Sequence, residues 1–276
     1  MFNQFKLEVK NCINQIEFKF IFMFIWAISI GGFFITCIKN NGTYYQFIRG
    51  SNENFILMST NTRAILMILA LFFPLLSICI YAGSYSKERK ENITYSIILR
   101  SSKGKYVVSK SLAIIAVTFL SFFIPLFINQ ILCYLVFPMD GLDNRWGIPN
   151  YDLIQSYSGK ALFDLFRIQY PFIYNLLYIL IYSILGSVLA LLAYGISFIN
   201  KIKRFQGIQV NVSIFIVVMI VSYVAQMLKI NMLDYLSYVQ PGRNGTFYGF
   251  IIITVLMLLS AIILIFKGYK KYEEKN

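Results

Sequence analysis

Residues 172–199 read FIYNLLYILIYSILGSVLALLAYGISFI and contain no charged side chain. A helix needs roughly 20 apolar residues to cross a hydrocarbon core about 30 Å thick, so this stretch is long enough to span a bilayer. Because lipid cannot hydrogen-bond to the backbone, a spanning chain must form helices or a closed barrel. Barrel strands alternate apolar and polar residues, whereas this run is continuously apolar. The stretch therefore predicts a membrane-spanning helix.

The same pattern recurs along the whole chain. Hydrophobic residues make up 58% of the 276 residues and charged residues only 13%. A soluble domain of this length could not bury so many apolar side chains in one core. We therefore predict an all-α membrane protein in which residues 1–276 form a single transmembrane domain. Six membrane-spanning helices are predicted, at 18–38, 64–83, 112–137, 172–199, 210–228 and 247–266.

Basic residues are distributed unevenly between the two sides of this predicted bundle. The segments on the side of both termini contain 17 of the 25 Lys and Arg residues, and the opposite loops contain 8. The positive-inside rule therefore predicts that both termini lie in the cytosol. The net charge of +13 is then mostly a topology signal. We expect no nucleic acid partner, because a basic recognition surface would need a soluble domain to carry it.

Several kinds of chemistry are excluded by residues that the chain lacks. Without any histidine, it cannot use imidazole as a catalytic base or a metal ligand. All 12 acidic residues lie outside the predicted spans, unlike the buried carboxylates of many proton-driven carriers. Gly104 and Lys105 precede Tyr106, so the Gly-Lys-Ser/Thr ending of a phosphate-binding loop is absent. We expect no enzymatic activity, catalytic residue, cofactor or metal, although an intramembrane Ser or Cys nucleophile paired with Lys stays open.

The most basic segment between predicted spans covers residues 85–110. Lys87 and Glu91 have the i, i+4 spacing of a helix, and Ser101 to Gly104 predict a turn. Along the segment, an acidic residue (Glu88 or Glu91) is followed by Thr94 and by the apolar pair Ile98-Leu99. A basic turn (Arg100 to Lys103), Tyr106 and Lys110 come after them. This order resembles the coupling helix of type-2 ABC transporter permeases. The alternative is a basic cytosolic loop of the kind found in any multipass protein.

The N-terminal segment 1–19 predicts an amphipathic helix. Its apolar residues fall within an arc of about 100° at 3.6 residues per turn, and Glu8 is expected on the opposite, polar face. Such a helix lies in the membrane interface. It resembles the N-terminal connecting helix of the same permease family, and together with the six spans it extends that resemblance over nearly the whole chain.

The resemblance implies one half of an ATP-driven exporter in a bacterial cytoplasmic membrane. The expected partners are ABC ATPase subunits, which would bind ATP and Mg²⁺, a second permease half of the same or a related chain, and the lipid bilayer. The residues expected to contact the ATPase are Lys87, Glu88, Glu91, Thr94, Ile98, Leu99, Arg100, Lys103 and Tyr106.

A candidate translocation path is suggested by polar and aromatic residues inside two spans: Asn129, Gln130, Tyr174, Tyr178 and Tyr182. Such groups suit a hydrophobic or amphipathic cargo, and antimicrobial peptides would be a natural cargo for this family. Alternatively, the amides hydrogen-bond to neighbouring helices, as polar residues in membrane bundles commonly do. An ATP-independent channel, flippase or membrane assembly factor is the alternative function.

Overall fold

The computed structural model of the chain describes residues 2–44, 47–81, 102–139, 159, 161–199 and 208–273. Within these ranges the protein is all-helical, and its only β pairing is an isolated bridge between Ala161 and Asn244. The helices are α1 (Phe2–Asn14), α2 (Ile16–Asn40), α3 (Arg63–Cys79), α4 (Lys103–Val136), α5 (Asp164–Gln169), α6 (Pro171–Ile199), α7 (Ile208–Met227), α8 (Leu236–Val239) and α9 (Phe247–Glu273).

Six of these helices, α2, α3, α4, α6, α7 and α9, are long and apolar enough to cross a membrane. This confirms the predicted all-α, six-span fold, and the chain has the architecture of a multipass membrane protein. The largest differences are at two helix ends, since α4 already begins at Lys103 and α9 continues to Glu273. Polar residues extend a helix beyond its apolar stretch, because backbone hydrogen bonding does not depend on hydropathy.

The central helix of the bundle is α6, which packs along α4 and α9 and also contacts α3. A Cβ atom on Gly186 would lie 3.0 Å from Cε2 of Phe122 and 3.1 Å from Oγ of Ser77. The missing side chain therefore allows α3, α4 and α6 to approach one another, as small residues do in membrane bundles. The rings of Phe73 and Tyr182 pack 5.0 Å apart beside this contact.

The two ends of the bundle differ in their contents. We call proximal the end where α1, the residues after α3 and the first turns of α4 meet. We call distal the opposite end, which contains the segments 41–44, 47–62, 161–170 and 228–246. Between the two ends, the outer surfaces of α2, α7 and α9 expose many large apolar side chains, as expected for helices in contact with lipid.

The N-terminal helix differs from its prediction in two ways. α1 ends at Asn14, and the extended backbone of Gln15 separates it from α2, so the predicted 1–19 helix is divided. The prediction that Glu8 lies on an exposed polar face was wrong, because α1 packs against α4 with Glu8 only 5% exposed. Phe2 and Ile13 are largely exposed, so part of the predicted apolar face is left uncovered by the rest of the protein.

Candidate functional site

Most of the predicted coupling segment lies outside the described residues. This applies to Lys87, Glu88, Glu91, Thr94, Ile98, Leu99 and Arg100. The structure does describe the residues that flank 82–101. Tyr81 precedes this segment, and Lys103 begins α4 after it. Tyr106, one turn into α4, is only 2% exposed and points into the protein.

A buried polar cluster joins α1 to both flanks of that segment. We call Glu8, Tyr81, Tyr106 and Lys110 the Glu8–Lys110 cluster. The hydroxyl of Tyr81 donates a 2.7 Å hydrogen bond to Oε2 of Glu8. Nζ of Lys110 lies 3.7 Å from the same carboxylate oxygen and donates a 3.2 Å hydrogen bond to the Tyr106 hydroxyl. All four residues are buried.

Two aromatic rings also lie close to the ammonium group of Lys110. Nζ of Lys110 lies 5.2 Å from the ring centre of Tyr81 and 5.3 Å from that of Tyr106. Both distances are within the range in which a cation is attracted to an aromatic face. The carboxylate and two rings therefore surround the ammonium group and compensate for its lost hydration. Charged and polar contacts thereby join α1 to Tyr81, which follows α3, and to the start of α4.

Cys12 lies one turn after Glu8 in α1 and is fully buried. The pKa of the Cys12 thiol is raised to about 12, mainly because the thiol is buried; the charge of Lys110 lowers it and that of Glu8 raises it by smaller amounts. Since the thiolate is the reactive form of cysteine, this thiol is inert near neutral pH. Cys12 therefore fills space beside the Glu8–Lys110 cluster and does not supply a nucleophile.

The pairing of Glu8 with Lys110 was not predicted from the sequence. One signal was present in the chain, because Tyr106 and Lys110 are four residues apart and share a helix face. The carboxylate that Lys110 meets belongs to a helix far away in the sequence. No spacing rule identifies such a partner.

At the distal end, a non-helical segment enters the bundle. Residues 50–57 form consecutive turns and are all buried. Asn129 lies seven residues before the end of α4, which places it about 10 Å below the distal end of that helix. Its Oδ1 accepts a 3.1 Å hydrogen bond from the N–H of Ile56. We call residues 50–57 the re-entrant segment.

Three amide side chains hold the re-entrant segment in place. Asn129 donates from Nδ2 to the Ser29 carbonyl at 2.7 Å, in addition to its bond to the segment. Gln130 donates to Oδ1 of Asn52 at 2.9 Å. Asn175 donates to the Asn52 carbonyl and to Oε1 of Gln130, both at 2.9 Å. Irregular backbone at membrane depth needs such internal partners.

The five residues predicted for a translocation path are all in the interior of the chain, at 1% exposure or less. Asn129 and Gln130 hold the re-entrant segment. The rings of Tyr174 and Tyr178 lie 4.9 Å apart, and Tyr182 packs between Phe73 and Phe122. In this conformation all five side chains are enclosed by the protein, so a path along them requires helices to separate.

The fold and this geometry define a six-helix, multipass membrane protein with a buried ionic cluster at one end and a re-entrant segment at the other. No protein-family model, curated protein or solved structure matches the chain.

Proposed function

We propose that this chain is the membrane-spanning permease subunit of an ATP-driven ABC exporter, coupled to separate ATPase subunits that bind ATP and Mg²⁺. The observation that supports this most is the Glu8–Lys110 cluster. It connects the N-terminal helix to both flanks of the segment that resembles a coupling helix. A partner that pushes on residues 82–101 would move α3 and α4 through the backbone and α1 through this cluster.

The proposal includes an orientation and a set of partners. The proximal end lies in the cytosol of a bacterial cell, because it carries most of the basic residues. α1 lies along the cytosolic leaflet, and its exposed Phe2 and Ile13 contact lipid. A second permease half, of the same or a related chain, completes the transporter. The cargo is hydrophobic or amphipathic, and antimicrobial peptides are the class to test first.

Transport through such a subunit needs movement between helices. Tyr182 on α6 packs against Phe73 of α3 and Phe122 of α4, the two helices that flank the coupling segment. Tyr174 and Tyr178 precede it at four-residue intervals on the same face of α6. Displacing α3 and α4 from the proximal end would therefore change the packing around these aromatic residues. In this proposal, a movement of the coupling segment reaches the predicted path through α3 and α4.

Co-purification with candidate ATPase subunits tests the proposal. We expect an ATPase to be retained by the wild-type chain and lost on Leu99→Asp or on combined Glu88→Ala and Glu91→Ala substitution. Lys110→Met should weaken the coupling of ATP hydrolysis to cargo. Asp164→Asn is the matched control, because it also removes one partner of a buried ion pair, with Arg167, but at the distal end.

Two results would contradict the proposal. In the first, no ATPase subunit binds the wild-type chain. In the second, the substitutions in the coupling segment behave like wild type in both binding and ATP hydrolysis. Either result would favour an ATP-independent channel, flippase or assembly factor, in which the segment 85–110 tolerates changes of charge.

A further inference from the structure

A long apolar groove runs along the outside of the bundle between α6, α7 and α9. Its volume is about 740 Å³, and its walls include Leu192, Ile196, Ile214, Val217, Ile253 and Met257. The groove exists because α7 packs mainly against α3 and touches α6 only slightly, while α9 packs along α6. Pockets for small apolar ligands have volumes of about 300–1,000 Å³, so the groove can hold an inserted chain.

The polar groups in the groove wall already have partners within the protein. Ser213 donates to the Gln209 carbonyl at 2.9 Å, and Ser260 donates to the Met257 carbonyl at 2.8 Å. Tyr235 donates to a backbone carbonyl of α3. Burial raises the pKa of Tyr235 and the nearby Asp234 raises it further, so its hydroxyl stays neutral. The groove therefore offers aliphatic contact and little hydrogen bonding, which favours a hydrocarbon chain over a peptide backbone.

A basic side chain, Arg243, lies beside the distal mouth of the groove, in contact with Asp234. Leu233 and Tyr235 line this end, and Asp234 lies between them in the chain. Nη1 of Arg243 lies 3.7 Å from Oδ2 of Asp234, and 41% of the Arg243 side chain is exposed. A guanidinium group has five N–H donors, so one long contact to a carboxylate leaves donors for a second partner.

Asp234 partly compensates the charge of Arg243, but neutral donors inside the protein hold its carboxylate in place, so the guanidinium can still bind a second anionic group. It accepts hydrogen bonds from Ser222, Gln226, the Leu236 N–H and Ser237. Arg243 lies in the loop before α9, at the level where a helix leaves the hydrocarbon core. An anionic group at the membrane surface would therefore meet a partly exposed guanidinium next to the end of an apolar groove.

We propose that this groove is a phospholipid-binding site. One acyl chain of a bilayer phospholipid lies between α7 and α9 against the wall formed by α6, and its phosphate binds the Arg243 guanidinium. Charge complementarity at the mouth and aliphatic lining below it match the two parts of such a lipid. The wall residues Val217 and Leu256 are 58% and 54% exposed, so the groove opens sideways and a lipid can enter from the bilayer. This proposal does not depend on any ATPase partner.

Native mass spectrometry of the full chain, released from detergent after incubation with phosphatidylglycerol, tests the site. Val217→Trp places an indole in the groove, and we expect it to lower lipid occupancy about tenfold, equivalent to about 1.4 kcal/mol. Ile216→Trp is the matched control, because Ile216 is on the same helix and 49% exposed but does not line the groove. It should bind lipid like wild type.

The polar end is tested separately. We expect Arg243→Gln to weaken phosphatidylglycerol binding about fivefold, the effect of one basic residue near an anionic lipid surface, whereas Arg243→Lys should retain most of the binding. Equal lipid occupancy in wild type and Val217→Trp would overturn the proposal. So would a dimer of the chain that Val217→Trp, but not Ile216→Trp, dissociates, because the groove would then be an interface between two copies.

Discussion

Breaking the Glu8–Lys110 ion pair should destabilise the protein by several kilocalories per mole. At the observed separation of 3.7 Å, Coulomb's law gives an attraction of about 4.5 kcal/mol with an effective dielectric constant of 20. Both side chains are almost fully buried, so solvent screens this attraction little. Lys110→Met would remove this positive charge from a carboxylate that stays buried, with its hydrogen bond from Tyr81 kept. We expect a loss of about 3–5 kcal/mol in the free energy of unfolding.

A double-mutant cycle separates this interaction from the loss of packing. Glu8→Gln, Lys110→Met and the combined variant would be unfolded in mixed micelles with increasing SDS, following helical circular dichroism. Because the combined variant leaves neither charge unpaired, it should be more stable than the sum of the single effects predicts, with a coupling energy of at least about 2 kcal/mol. A coupling energy below about 0.5 kcal/mol would show that the two charges do not stabilise each other. The ion pair would then not hold α1 to α4.

Three further predictions concern other parts of the bundle. Asn175→Leu should cost about 1–3 kcal/mol in the same unfolding assay, because it leaves two buried carbonyl oxygens without their donor; an unchanged stability would contradict the role given to the re-entrant segment. Gly186→Val should destabilise the protein by about 1–3 kcal/mol through overpacking, whereas Gly31→Ala, which has open space around its Cβ position, should be nearly neutral. With the other cysteines replaced by serine, Cys12 should resist maleimide at pH 8 and react only after SDS denaturation, because a pKa of about 12 leaves roughly one thiolate in ten thousand; rapid labelling of the folded protein would refute its burial.

The positions of the membrane-spanning helices could be predicted from the sequence because hydropathy is a local property. The predicted spans 172–199 and 210–228 differ by only one or two residues at either end from α6 and α7. The third span was predicted to begin at residue 112, whereas α4 begins at Lys103. Hydropathy reports where lipid begins, whereas a helix continues as long as its backbone hydrogen bonds do.

The candidate site was less accessible to sequence reasoning. Tyr106 and Lys110 were predicted to belong to the coupling segment because of their order in the sequence. Glu8 was predicted to lie on the exposed polar face of the N-terminal helix. A helical wheel places each residue relative to its own helix and contains no information about a neighbouring helix. Only the packing of α1 against α4 shows that the polar side of α1 meets a buried lysine.

The sequence by itself determined that this protein is a bundle of six membrane-spanning helices, because long uncharged runs have no other stable arrangement in a bilayer. The tertiary structure decided which polar groups are paired. Glu8 meets Lys110, and Asn129, Gln130 and Asn175 hold the re-entrant segment. These contacts join residues far apart in the chain, and such pairing depends on how the helices pack in three dimensions, which local composition and periodicity do not encode.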